Sequence, residues 1–97
     1  MAETLPNDDL DLETRRKRLV FRAWHRGVKE ADIILGHFVR DHVAGWDQET
    51  LAWFERLLEE SDRDILAWIM KSEPIPALFD TKLMRLMQKL DYVKIGD

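Results

Sequence analysis

Cysteine is absent from the 97 residues. That excludes disulfides, thiolate zinc ligation and thiol nucleophiles, and it is compatible with a reducing compartment. Serine occurs only at Ser61 and Ser72, both at positions that read as helix ends, where capping accounts for them. Gly27, Gly36 and Gly45 are spaced nine apart rather than clustered, so no phosphate-cradling loop is present. His37 and His42 stand five apart, off the i, i+4 spacing of a helical metal pair, and no metal site is expected. No residue set offers a nucleophile with an oriented base, so neither catalytic residues nor an enzyme are expected. No apolar run approaches the roughly 18 to 20 residues of a membrane span. The first ten residues have neither the basic region nor the apolar core of a secretory signal, and they are too acidic for a mitochondrial transit peptide. The expectation is a cytoplasmic protein with no membrane insertion.

What remains is an ordinary globular composition, 45% hydrophobic and 35% charged, of a length that suits one domain. Net charge is −4, unevenly placed: residues 15–30 hold seven basic groups against the single acid Glu30, leaving −10 for the rest. A basic segment on an acidic body suits a nucleic acid, an acidic protein groove or a solvated helix face. Four consecutive cations, Arg15 to Arg18, cannot share one helix face, so this turn reads as mostly solvated.

The periodicity predicts an all-α, single-domain, five-helix bundle. Residues 1–11 read as a disordered acidic leader, 12–90 as the helical domain and 91–97 as a C-terminal tail. Helix one runs from about Leu12 to Trp24, with Leu12, Leu19 and Ala23 on its apolar side and Val20 and Trp24 as further candidates for it. Helix two runs from about Val28 to Val43, with Ala31, Ile34, Leu35, Phe38 and Val39 at i, i+3, i+4, i+7 and i+8. Asp47 caps helix three, to about Glu59, with Leu51, Phe54, Leu57 and Leu58 inward. Ser61 or Asp62 caps helix four, about Arg63 to Met70, with Ile65, Leu66, Trp68 and Ile69 on its apolar side. Pro74 and Pro76 end it. Asp80 opens helix five, to about Leu90, with a stripe of Leu83, Leu86, Met87 and Leu90 and Phe79 as a staple. Trp53 and Trp68 read as core. Trp24 is expected to be partly exposed.

The stretch Arg26-Gly27-Val28-Lys29-Glu30 joins helices one and two. Gly27 reads either as a left-handed residue ending helix one or as a point where helix two packs closely on something. If helix two is extended back over it, Gly27, Glu30, Ile34 and His37 form one line beside the core stripe. On that line glycine leaves a flat place for a partner backbone, with Glu30 as acceptor and Arg26 as a fork-shaped donor. The alternative is a surface i, i+4 ion pair between Arg26 and Glu30, worth a few tenths of a kcal/mol, with Gly27 as a cap. The residues leave both open.

These residues resemble the flavinylation factors of succinate dehydrogenase, a small helical family of bacteria and mitochondria. The motif Arg-Gly-x-x-Glu is matched by Arg26, Gly27 and Glu30. Arg18, Leu19, Val20 and Phe21 before it match too, as do Asp32 and the apolar run to Phe38, Leu57-Leu58, the Asp62 to Trp68 segment and the proline-rich link. The resemblance covers about residues 15 to 90. His25 stands where several relatives carry Lys or Arg. The resemblance implies an assembly factor, a monomer when free, that binds the flavoprotein subunit of succinate dehydrogenase and, in some bacteria, that of fumarate reductase. It promotes covalent attachment of FAD to a histidine of that subunit. The residues themselves show no pocket motif for free FAD, so no tightly held cofactor is expected. By the same resemblance Arg26, Gly27 and Glu30, flanked by Arg18, His25 and Asp32, form the partner contact. The alternative function is a helical nucleic-acid-associated regulator using the basic segment 15–29; its binding would weaken steeply with salt.

Overall fold

The computed structural model describes residues 11–93. Residues 1–10 of the expected leader and 94–97 of the expected tail lie outside them. The described residues form five α-helices in order: α1 Leu12–Trp24, α2 Lys29–His42, α3 Gln48–Leu57, α4 Asp62–Ile69 and α5 Lys82–Lys89. Short 3-10 turns at Val43–Gly45 and Ala77–Phe79 complete the path. Among the described residues there is no strand, so the fold is all-α.

Capping sets the helix starts. Asp11 accepts from the Thr14 N–H at 2.8 Å, Asp47 from Thr50 at 2.9 Å and Ser61 from Asp64 at 3.1 Å. Each satisfies a backbone donor that the first helical turn leaves open. The Asp47 carboxyl lies below the usual carboxylate range, chiefly through the Thr50 backbone bond. Its contribution is therefore present above the ordinary carboxylate pKa and is lost as pH falls through the lowered one. Helix five starts later than the sequence suggests. Phe79 and Asp80 belong to the preceding turn and its exit, and Thr81 is the N-cap.

The core stripe of α2 is buried at all five expected positions. Phe38 sits at its centre, with Phe54 stacked at 6.0 Å, Trp46 at 6.1 Å and Tyr92 edge-on at 5.0 Å. Tyr92 falls in the expected tail yet belongs to the core, and its hydroxyl donates to the Met87 carbonyl at 3.0 Å. Burial pushes its phenol above the ordinary tyrosine value. In α5 the deepest residues are Met84 and Met87; Leu83, Leu86 and Leu90 only flank the core.

Arg15 corrects the reading of the basic run as solvated. It lies buried, 4% exposed, and grips the equally buried Glu55 of α3 through Nη2 at 2.9 Å and Nε at 3.3 Å. Arg16 donates to the Trp46 carbonyl at 2.7 Å.

The close-packing glycine is Gly36, not Gly27. A β-carbon on Gly36 would lie 2.3 Å from the Trp24 ring, so glycine there lets the half-buried Trp24 of α1 lie flat on α2. Gly36→Ala is expected to cost about 1–3 kcal/mol by overpacking, about 4–8 °C in melting temperature per kcal/mol for a chain this size. Thermal melts of Gly36→Ala, Trp24→Leu and the double variant check this. The alanine should cost much less once the indole is gone; equal costs in both backgrounds would place its origin elsewhere.

Candidate functional site: the loop between α1 and α2

Helix α1 ends at Trp24, with the His25 N–H bonded back to the Arg22 carbonyl at 3.4 Å. Gly27 lies at φ +100°, in the region that side chains rarely adopt. It therefore lies outside α2, which begins at Lys29 with Val28 as its extended N-cap. The continuous helical line from Gly27 to His37 does not form. Only Glu30, Ile34 and His37 share α2, and His37 is buried, with Nδ1 2.7 Å from the Ile33 carbonyl.

Two side chains hold the loop. Asp32 accepts from the Arg26 backbone N–H at 2.6 Å, folding the loop back onto the first turn of α2. The Arg26 side chain turns away from the loop into the junction of α3 and α4. Its Nε donates to Asp62 Oδ1 at 2.7 Å and its Nη2 to the Glu60 carbonyl at 2.8 Å; its Nη1 donates to the Leu58 carbonyl. All three guanidinium nitrogens thus donate within the chain, and no Arg26–Glu30 ion pair exists. The expected surface pair is replaced by a clasp across 32 to 36 residues of sequence. The carbonyls of Leu58 and Glu60, in the turn that follows α3, receive donors from Arg26.

The clasp leaves the rest of the loop on display. His25, Gly27, Val28, Lys29 and Glu30 are exposed. Nothing lies within 4 Å of where a β-carbon on Gly27 would stand, so the space before it is open. Among the described residues Glu30 has neither a hydrogen-bond nor an ion-pair partner. Arg18 is exposed on α1, one and two turns before Arg22 and His25.

Phe21 is the residue that local reasoning misses. It is 62% exposed and stacks on the His25 ring at 4.0 Å. The Phe21 carbonyl lies 2.7 Å from His25 Nδ1. A carbonyl only accepts, so Nδ1 carries the proton in this contact. The available signal was an aromatic on the polar side of α1, between Arg18 and Arg22. Together the loop and the Phe21–His25 pair form a surface with an open centre, an aromatic shoulder and the exposed Glu30 carboxylate, with Glu59 and Glu60 lining the hollow beside Phe21 and His25. Among the described residues no group of three His, Asp or Glu could hold a metal, and no helix is long and apolar enough to cross a membrane.

Comparison with known proteins places this loop in a family context. A family model described as flavinator of succinate dehydrogenase matches residues 17–91. Succinate dehydrogenase assembly factor 2-B, mitochondrial, of Drosophila melanogaster is 36% identical over 83 residues, covering 84% of this chain and 53% of that protein. Assembly factor 2 of Cryptococcus neoformans is 37% identical over 90 residues, covering 92% and 51%. That of Debaryomyces hansenii is 33% identical over 82 residues, covering 80% and 58%. The chain spans about half the length of the curated relatives it matches.

Proposed function

The chain belongs to the succinate dehydrogenase flavinator family, and from that premise we propose that it binds the flavoprotein subunit of succinate dehydrogenase and promotes covalent attachment of FAD to it. The observation that supports this most is the displayed loop: open space before Gly27 beside the unengaged Glu30 carboxylate, on a backbone held by Arg26 and Asp32. An exposed polar backbone held by partly buried ties is what a recognition surface needs, because little ordering entropy is then lost on binding.

In this reading the protein supplies binding rather than chemistry. The flavin and its target histidine react. The small helical chain selects the arrangement of the flavoprotein in which the two lie close. Gly27 lets a partner backbone approach, and Glu30 accepts a charge-assisted hydrogen bond. Arg26 and Asp32 act by fixing the loop, while Arg18, His25 and Phe21 extend the contact along α1. The fumarate reductase flavoprotein is a second proposed client. The proposed compartment is the cytoplasm; the compared relatives are named mitochondrial.

The nucleic-acid alternative loses its footing in the same geometry. Arg15 is buried on Glu55, Arg16 is bound to Trp46 and Arg26 is clasped at Asp62. The basic segment thus turns three of its cations inward, whereas phosphate binding needs them on one outer surface.

The test is covalent flavin in the flavoprotein subunit, read as in-gel fluorescence after denaturation, in cells lacking this protein and in cells complemented with it. Deletion should remove the signal and the wild-type chain should restore it; a signal indifferent to deletion overturns the proposal. Glu30→Ala should bind the flavoprotein about 10- to 100-fold more weakly, the loss of one charge-assisted bond at about 1.5–3 kcal/mol. Titration of the purified subunit measures it, and unchanged affinity removes Glu30 from the contact.

A further inference from the structure

A groove of about 440 Å³ opens beside the loop, lined by Glu30, Ile33, Ile34, Met70, Leu90 and Val93. Five of these six side chains are apolar. Glu30, at the rim, is the sole charge, and it has no hydrogen-bond or ion-pair partner among the described residues. Ile33 and Ile34 stand three and four residues beyond Glu30 on α2, so the carboxylate and the groove wall share one helix face. Met70, at the end of α4, is 52% exposed, and a thioether on the surface adapts readily to the shape of an incoming side chain.

We infer that this groove seats an apolar side chain of the flavoprotein client, carried beside a cationic residue that pairs with Glu30. The inference rests on the function proposed above and extends its contact surface from the loop onto α2 and α4. Charge complementarity selects the occupant. A purely apolar ligand would bury the Glu30 rim without answering its charge, and a purely basic one would leave the apolar walls wet. A partner seated against Gly27 and Glu30 is already within one helical turn of Ile33. Its next apolar side chain therefore meets the groove with no rearrangement of this chain. Filling it removes Met70 and its neighbours from water, which is the composition of an interface centre rather than a rim.

The experiment is titration of the FAD-loaded flavoprotein subunit with the full chain, using wild type, Met70→Asp, Met70→Leu, Val93→Asp and Gly27→Arg. Circular dichroism is recorded for each variant. Met70→Asp and Val93→Asp should each weaken binding about tenfold or more, and Met70→Leu should bind within about threefold of wild type. Wild-type affinity for both aspartate variants, with Gly27→Arg still defective, overturns the groove and leaves the loop contact standing. Absence of binding by the wild-type chain overturns the proposed function and the groove's occupant with it. Sedimentation at rising concentration covers a second copy as occupant: a dimer that Met70→Asp dissociates, with client affinity unchanged, also overturns the inference.

Discussion

Gly27→Arg is expected to abolish covalent flavin attachment while leaving the helical content of the chain intact. The two halves of this result come from different features of one residue. The first is space: no atom lies within 4 Å of the position a β-carbon would take. The β-carbon of an arginine there meets nothing of its own chain, and the side chain projects into the space where, on the proposed function, the partner backbone approaches. The second is backbone: at φ +100° any side chain is strained, at a cost of about 1–3 kcal/mol. That strain lowers the melting temperature without removing the core, because the loop sits outside both helices and a β-carbon on Gly27 would meet nothing. Gly27→Ala separates the effects. It carries the same backbone strain with almost no bulk, so it should melt about as early as the arginine variant yet retain much of the flavin signal. If alanine and arginine are equally inactive, the loop conformation rather than the open space is what the partner needs. Arg26→Ala should differ from both. It removes the clasp to Asp62 and the carbonyls of Leu58 and Glu60, so it should lower stability and binding together.

The two glycines show why part of this site was legible in the sequence and part was not. Gly27 precedes α2 and Gly36 lies within it, and the sequence pattern leaves cap and close packing open at Gly27 while offering no packing role for Gly36. The difference is made by Trp24, whose ring covers Gly36 and not Gly27. The stripe of α2 and the caps at Asp47 and Ser61 were readable because they depend on residues within one or two turns. The fates of Arg15 and Arg26 were not, since their partners lie 40 and 36 residues away and nothing local distinguishes Arg15 from Arg16, Lys17 or Arg18. Arg26, expected as a donor to the partner, instead turns its guanidinium to Asp62 and the carbonyls of Leu58 and Glu60. The motif's glycine and glutamate are displayed, and its arginine holds the display in place. Phe21 escaped because helical periodicity flags what points inward, and this ring points outward among cations.

The buried pair of Arg15 and Glu55 is where the largest loss of stability is expected. Both side chains are nearly sealed, at 4% and 8% exposure, and the contact is made by two guanidinium nitrogens. Salt and water screen such a pair far less than a surface one. Glu55→Ala leaves a buried guanidinium without the Glu55 carboxylate, and breaking a buried pair in this way costs about 3–5 kcal/mol. A domain of this size has a total stability of about 5–15 kcal/mol, so the variant should melt far below wild type. Urea unfolding followed by circular dichroism measures the difference. Glu55→Gln keeps an acceptor for one of the two bonds and should fall in between. Replacing both partners, Arg15→Met with Glu55→Leu, removes the charges and their desolvation cost together; such replacements range from neutral to stabilising by about 1–4 kcal/mol. Recovery in the double variant identifies the buried charge, and not lost packing of α1 on α3, as the source of the damage. A double variant as unstable as Glu55→Ala alone would reverse that assignment. Since Arg15 lies at the far end of α1 from Gly27, the double variant should also support flavin attachment at the wild-type level; that result would assign the ion pair to the scaffold and separate it from the proposed partner contact at the loop.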